Sequence, residues 1–159
     1  MAAQEGVQSS AGAADFRRNL IDSDEGVAEL LARTHRIAVL GIKTEAQANQ
    51  AAFYVPEYLA SRGLDIVPIP VYFPDVTQIL GRPVYRRLVD VPGEVDLVDV
   101  FRRPRDIDAH VQDIIAKRPK AVWFQLGIRN DDAAERLART GIQVVQDRCL
   151  MVDYRRLGR

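Results

Sequence analysis

Apolar residues along this chain fall into two patterns, and the first is a set of short, continuous runs. The run at residues 36–41 has the sequence RIAVLG and ends at a glycine. Continuous runs of this length are typical of strands that are buried on both faces, as in a parallel sheet. The sequence predicts five such strands, at residues 36–41, 66–71, 95–101, 121–126 and 142–145.

The second pattern, apolar residues at three- and four-residue spacing, predicts helices before and between the strands. Carboxylates from Asp22 onward favour a helix start, because the helix dipole is positive there. Pro56 lies inside the next helical stretch, so we expect that helix to begin near Val55 or to kink there. The predicted helices cover residues 22–34, 51–62, 106–117 and 130–140, and residues 79–91 are a loop with a helical turn at 85–88.

Strand and helix alternate along the chain, which predicts right-handed βαβ units and therefore a parallel sheet. We predict a single α/β domain: a Rossmann-like, doubly wound, five-stranded parallel sheet with helices on both faces. A length of 159 residues fits one domain. Residues 1–19, small and polar at their start, are predicted as a flexible tail, and residues 20–159 as the domain.

Composition narrows the class of protein. The 22 cationic and 22 anionic side chains cancel, so no overall field favours nucleic acid or an anionic membrane as a partner. A single cysteine, Cys149, excludes an internal disulfide and a multi-cysteine zinc site, and it suits a reducing compartment. No apolar run reaches the roughly 18 residues of a membrane helix, and no secretory signal is recognisable. We therefore expect a soluble, cytoplasmic protein.

Candidate chemistry lies after the strands, because ligands of an open α/β sheet bind beyond the carboxyl ends of the strands. Cations follow four of the five predicted strands, among them Lys43, Arg102, Arg103 and Arg148. Helix N-termini add partial positive charge at the same edge. Arginine forks match phosphate oxygens, so the pattern predicts an anionic, phosphorylated ligand.

Several enzyme classes lack their motifs here. Gly41 stands alone, without the G-x-G-x-x-G and the later acid of NAD dehydrogenases, and the chain has no P-loop and no G-x-S-x-G elbow. No carboxylate pair demands acid–base chemistry. We interpret Asp99 as a buried polar group that meets neighbouring backbone, the alternative being a site carboxylate. We interpret Cys149 as a small, partly buried hydrophobe, the alternative being a thiolate stabilised by Arg148. His110 is predicted on the outer face of its helix.

Five segments carry a resemblance to a known family: IAVLG at 37–41, ILGRPVY at 79–85, VDLVDVFRR at 95–103, VWFQLGIRN at 122–130 and VVQDRC at 144–149. In that order and spacing they resemble the small, stand-alone CoA-binding proteins. Those proteins share the Rossmann-like nucleotide-binding domain of the succinyl-CoA synthetase α subunit. The resemblance covers roughly residues 25–157.

The resemblance implies CoA or an acyl-CoA as a small nucleotide ligand in this crevice. The first turn would approach the CoA phosphates and the second would cradle the adenosine. The third would bring arginines near the phosphates, and the fourth would close the pantetheine side. The residues implied by position are Gly41, Ile42, Lys43 and Thr44, then Pro70, Val71 and Tyr72, then Phe101, Arg102 and Arg103, and finally Gln125, Leu126 and Gly127.

Two departures from the family pattern fall on the same face. Lys43 replaces a common serine, and Tyr72-Phe73 replaces a common Asn-Pro pair. The lysine could strengthen phosphate binding and the tyrosine could stack on adenine, or both could fill the pocket. Our leading hypothesis is a non-catalytic CoA-binding or sensing module. The alternatives are a CoA-dependent or thiol-based enzyme component that needs a partner, and a ligand-free interaction module plugged by Tyr72 and Phe73. The sequence is also compatible with a homodimer.

Overall fold

The computed structural model describes residues 15–158, and a parallel sheet forms its centre. The strands of the described chain are β1 (Arg36–Leu40), β2 (Asp65–Ile69), β3 (Gln78–Ile79), β4 (Arg82–Pro83), β5 (Leu97–Val100), β6 (Ala121–Gln125) and β7 (Gln143–Arg148). Five of them pair in the order β2-β1-β5-β6-β7, and all four pairings are parallel. The other two, β3 and β4, form a short antiparallel hairpin beside this sheet.

Helices cover both faces of the sheet, which confirms the predicted α/β architecture. They are α1 (Asp24–Ala32), α2 (Ala51–Ser61), α3 (Asp108–Lys117), α4 (Asp131–Arg139) and α5 (Leu150–Leu157). The buried side chains of α1, α2 and α5 share one core cluster, and those of α3 and α4 share the other. No helix within residues 15–158 is long and apolar enough to cross a membrane.

Each strand of the five-stranded sheet contributes side chains to both core clusters. In β1, Ile37 and Val39 pack under α1, α2 and α5, while Ala38 and Leu40 pack under α3 and α4. A strand that buries both of its faces needs apolar residues at successive positions. This requirement explains why the strands are visible in the sequence as continuous runs rather than as alternating patterns.

The direction of strand addition reverses between β1 and β5, because β2 lies on one side of β1 and the later strands lie on the other. The carboxyl ends of β1 and β5 therefore form the switch point at which such sheets bind ligands. Gly41 follows β1 here with φ +89°, and a Cβ at this position would collide with the carbonyl oxygen of Phe101. Only glycine permits this close approach of the two strand ends.

The structure decides where α2 begins. The helix spans Ala51–Ser61, in agreement with the predicted stretch 51–62, so the alternative start near Val55 is wrong and Pro56 lies inside the helix. A proline at this position removes the hydrogen bond to the carbonyl of Ala52. That carbonyl accepts the backbone N–H of Lys43 instead, at 3.1 Å, so the oxygen keeps a partner and the helix tolerates its proline.

Three further parts of the chain differ from the sequence expectations. The hairpin of β3 and β4 overlaps the predicted loop at 79–91, and the short helical turn of that loop is a 3-10 helix at Leu88–Asp90, slightly later than the predicted 85–88. An ion pair between Arg82 and Asp65 ties the hairpin to β2. Helix α5 was not predicted, although its apolar residues Leu150, Tyr154 and Leu157 recur at four- and three-residue spacing and pack against the core under α1 and α2.

The start of the described chain belongs to the folded domain, although residues 15–19 were assigned to the predicted tail. Phe16 is buried in the core beside α4. The side-chain amide of Asn19 donates to the carbonyl of Ala138 at 2.9 Å. The domain boundary therefore lies before residue 20. The rest of the predicted tail, residues 1–14, lies outside the described residues.

Candidate functional site

The residues that the sequence predicted for the site lie in the turns that follow β1, β2, β5 and β6, except Gln125, which is the last residue of β6. Because these strands are parallel, all four turns are at the same edge of the sheet. The side chains divide into two groups. One group clusters at the switch point between β1 and β5, and the other belongs to the β6 and β7 side of the edge.

The turn after β1 is fixed by backbone and side-chain bonds. Ile42 is buried in the core. Thr44 begins the 3-10 helix at Glu45–Gln47 with a capping box: its hydroxyl accepts from the N–H of Ala46 at 3.2 Å, and its own N–H donates to Gln47 Oε1 at 3.0 Å. Thr44 is therefore committed to the turn itself. The signal for Gln47 was present in the sequence as T-x-x-Q.

A cluster of cations and aromatic rings occupies the switch point. The Lys43 Nζ lies 5.6 Å from the Tyr72 ring centroid and 5.7 Å from that of Phe73. The guanidinium carbon of Arg102 lies 5.6 Å from the Tyr72 centroid. The two rings meet edge to face at 6.5 Å. We call Lys43, Tyr72, Phe73 and Arg102 the cation–aromatic cluster. Both cations have an aromatic neighbour at a favourable distance.

The loop after β2 is held by Arg86, which the sequence analysis did not identify. Pro70 and Val71 lead into this loop and are buried and half-buried. The Arg86 guanidinium donates to the carbonyls of Tyr72 at 3.1 Å and Phe73 at 2.9 Å, and it also reaches the carbonyls of Pro74 and Val76. A non-glycine residue with positive φ sits in the loop, Phe73 at +64°. One arginine thus fixes the backbone that presents the Tyr72 ring.

Arg102 is the most constrained cation of the cluster, with a side chain that is only 15% exposed. Its Nη1 lies 3.4 Å from the Tyr72 hydroxyl, and this contact lowers the pKa of the phenol. Its Nη2 lies 3.9 Å from the Asp106 carboxylate. Its Nε donates to His110 Nε2 at 3.1 Å. Three neighbours therefore set the orientation of this guanidinium.

His110 corrects the sequence interpretation, which placed it on the outer face of its helix. The imidazole is half-buried, and burial together with the charge of Arg102 lowers its pKa. Its Nε2 accepts a hydrogen bond, so the ring is neutral with the proton on Nδ1. No sequence signal could have found this contact, because Arg102 and His110 lie in different elements.

Arg103 lies further out on the same loop. Its Nε donates to Asp106 Oδ2 at 2.8 Å, and this hydrogen bond lowers the pKa of the Asp106 carboxyl group. The side chain is mostly exposed. Phe101, the first residue of the loop, is half-buried and packs against the core under α1, α2 and α5. Arg103 thus lies on the exposed, outer side of the loop.

The turn after β6 is bonded to the other side of the edge. Gln125 is 4% exposed, and its Oε1 accepts from the N–H of Leu150 at the start of α5. The N–H of Gly127 donates to Asp147 Oδ1 at 2.7 Å. Leu126 is 64% exposed. Within residues 15–158, no side-chain hydrogen bond joins this turn to the cation–aromatic cluster.

Asp99 differs from its sequence interpretation, in which neighbouring backbone satisfied the carboxylate. It lies in β5 between Val39 and Trp123 of the adjacent strands and is fully buried. Neither carboxyl oxygen has a hydrogen-bond partner among the described residues. Burial raises the pKa of this group well above its ordinary value. The protonated form is the one that such a site favours.

Comparison with known proteins gives relatives over most of the chain. A protein of Thermus thermophilus, solved as cell-free ID.343, is 36% identical with a TM-score of 0.78, covering 86% of this chain and 99% of its own. A hypothetical protein from Pyrococcus horikoshii OT3 is 31% identical with a TM-score of 0.76, covering 86% and 92%. The uncharacterized protein YneT of Bacillus subtilis (strain 168) is 27% identical over 128 residues, which is 80% of this chain and 91% of YneT.

A family model with the description "CoA binding domain" matches residues 35–155. The matched region runs from the residue before β1 into α5. It therefore contains the whole parallel sheet and every turn at its carboxyl edge. On this match, the chain belongs to the CoA binding domain family.

Proposed function

We propose that this protein binds CoA or an acyl-CoA in the crevice at the carboxyl ends of β1 and β5, as a binding or sensing module without catalysis of its own. One observation carries the proposal. Two cations from the turns after different strands, Lys43 and Arg102, approach the exposed ring of Tyr72 at the switch point of a CoA binding domain.

The cations suit the phosphates of CoA. Among the described residues, the groups near the Lys43 ammonium are the rings of Tyr72 and Phe73, so this ammonium group is available to an anion. Arg102 offers Nη1 and Nη2 on the side of the guanidinium away from His110. An arginine fork with a lysine point charge matches the oxygens of a diphosphate. Arg103 would add a weaker contact from the rim.

The aromatic part of the cluster suits the adenine base. Tyr72 is 54% exposed, and Arg86 fixes the backbone on either side of its ring. A planar base can stack on such a ring. CoA combines a purine with a diphosphate, which is the combination that this cluster can bind. An isolated inorganic phosphate would use only the cations.

The pantetheine arm would leave the cluster toward the turn after β6. Gln125 is fixed by its bond to the start of α5, and Leu126 presents an exposed apolar side chain beside it. An amide-containing, partly apolar chain is compatible with this surface. Gly127 has no Cβ that could obstruct the path. The acyl group of an acyl-CoA would lie at this side of the crevice.

The proposed absence of catalysis is supported by the pairing of the acid–base groups near the cluster. Asp106 is engaged by Arg103, and His110 Nε2 is engaged by Arg102. Neither group is free to act on a bound thioester while these bonds hold. General acid–base catalysis requires a group within hydrogen-bond reach of the reacting atom.

A thermal-unfolding titration with CoA, and with NAD and ATP in parallel, tests the proposal. A ligand at 100 times its Kd adds about 2.7 kcal/mol to the free energy of unfolding, which raises the midpoint by several degrees. We expect a rise with CoA that exceeds the rise with NAD or ATP. Equal responses to all three would indicate a general nucleotide site, and no response to CoA would refute CoA binding.

A further inference from the structure

Arg102 is held by a histidine that lies outside the cation–aromatic cluster. His110, in the first turn of α3, accepts the Arg102 Nε–H at 3.1 Å. This bond uses the Nε–H, which is the guanidinium N–H next to the aliphatic part of the side chain. The two terminal nitrogens are then left for Tyr72, Asp106 and any ligand.

We propose that His110 is a positioning residue for Arg102, and that its protonation weakens ligand binding at the switch point. The inference rests on the proposed function and adds a pH dependence to it. The neutral imidazole accepts a hydrogen bond at Nε2, whereas the imidazolium ion has only donors. Protonation therefore breaks the bond and places two cations against each other.

The charged groups around His110 do not offset such a repulsion. Besides Arg102, the charged groups that influence the pKa of His110 are Asp106 from the preceding 3-10 helix and Asp113 from its own helix. Asp106 is bonded to Arg103. Asp113 accepts the N–H groups of Leu88 and Val89, at 2.8 and 3.3 Å. Both carboxylates thus have other partners in place.

The burial of His110 likewise supports a loss of ligand affinity on acidification. The half-buried imidazole, next to a guanidinium, has a lowered pKa, so it is neutral at neutral pH and Arg102 is held. Acidification through that pKa releases Arg102. Affinity for the ligand should therefore fall as the pH falls, which is opposite to the simple expectation that one more cation would attract an anion.

Calorimetric titration with dephospho-CoA, from about pH 8 to about pH 5, covers the range over which histidine titrates. Dephospho-CoA is the probe because it lacks the phosphate monoester of CoA, and that monoester itself takes up a proton at about pH 6. Three proteins are compared with the unaltered chain. His110→Gln keeps an acceptor but does not titrate, His110→Leu has no acceptor, and His35→Gln alters the other histidine, which precedes β1 at the opposite edge of the sheet.

We expect the unaltered chain and His35→Gln to lose affinity on acidification, while His110→Gln stays nearly constant. His110→Leu should bind about tenfold more weakly at neutral pH, the equivalent of one hydrogen bond to a charged group. Affinity that rises on acidification, or His110→Leu binding as the unaltered chain does, would overturn the inference. Circular dichroism and thermal unfolding establish that each variant is folded.

An NMR titration of His110 separates this inference from the proposed function, because it needs no ligand. Arg102→Gln removes the neighbouring charge, so the pKa of His110 should rise in that variant. An unchanged pKa would refute the contact between Arg102 and His110. Failure of the unaltered chain to bind either CoA or dephospho-CoA, with the pKa shift present, would refute the proposed function and would confine His110 to a structural role.

Discussion

Pro56 leaves the carbonyl of Ala52 without its helical hydrogen bond, and the backbone N–H of Lys43 donates to that carbonyl. In a regular helix the N–H of residue 56 would donate to the carbonyl of Ala52. Proline has no N–H, and the Lys43 amide donates to this oxygen at 3.1 Å instead. A residue that is unfavourable inside a helix thus joins α2 to the turn that carries a cation of the proposed site.

Substitution of Pro56 by alanine should loosen the turn at Lys43. The new N–H competes for the Ala52 carbonyl, so the Lys43 amide should exchange its hydrogen faster and CoA affinity should fall by a few-fold. Hydrogen exchange followed by NMR measures the first effect and calorimetry the second. Pro119→Ala is the matched control, because Pro119 precedes β6 at the opposite edge of the sheet. Unchanged exchange at Lys43 in Pro56→Ala would contradict this coupling.

The arginines of the β5 loop should contribute unequally to CoA binding. Arg102→Gln should weaken binding by about 1.5–3 kcal/mol, since it removes a charge-assisted contact from a constrained, half-buried position. Arg103→Gln should have a smaller effect, because Arg103 is exposed and bonded to Asp106. Calorimetric titration with CoA measures both.

Arg129→Gln is the control for these two variants. Arg129 follows β6 and pairs with Asp131 on the surface at 3.1 Å, so it shares their residue type and their edge of the sheet but does not belong to the β5 loop. Equal losses in all three variants would mean that general positive charge, rather than the cluster, attracts CoA. No loss in Arg102→Gln would exclude the proposed phosphate contact.

The aromatic ring of Tyr72 should contribute more to CoA binding than its hydroxyl group does. Tyr72→Phe keeps the stacking surface and loses only a long contact of 3.4 Å to Arg102, so CoA affinity should change little. Tyr72→Ala should weaken CoA binding by about tenfold, as expected for loss of a base–aromatic stack. Inorganic pyrophosphate is the reference ligand, because it has no base.

The response to pyrophosphate tells stacking from occlusion. If Tyr72 stacks on adenine, Tyr72→Ala loses affinity for CoA but not for pyrophosphate. If the ring instead blocks the cations, both ligands bind more tightly to Tyr72→Ala. The second result would favour the plugged interaction module over the proposed CoA site.

The main sheet was predictable because each of its strands buries both faces, and burial leaves a continuous apolar run in the sequence. The hairpin of β3 and β4 was not, because strands of two residues leave no periodic pattern. The positions of Lys43 and Arg102 after strands β1 and β5 were likewise visible, since parallel strands end at one edge. Spatial contacts such as Arg102 with His110 depend on how α3 packs, which spacing along the chain does not encode.

The carboxyl group of Asp99 makes stability depend on pH. Its pKa in the folded protein lies above the ordinary value of 3.8 because of burial. A group of this kind contributes stability that is fully present below its unfolded pKa and is lost as the pH rises through the folded pKa. The free energy of unfolding should therefore decrease from about pH 4 upward, until Asp99 is ionised or its burial is relieved.

Asp99→Val should remove this dependence and stabilise the protein at neutral pH. The site lies between Val39 and Trp123 in the centre of the sheet, where a β-branched apolar side chain fits the strand. Removal of a buried, unpartnered polar group should add about 1–3 kcal/mol to the free energy of unfolding. Urea denaturation at acidic and neutral pH measures both effects. A destabilised Asp99→Val with an unchanged pH slope would show instead that the carboxyl group has a partner in solution, such as a buried water, and that the slope arises from other carboxylates.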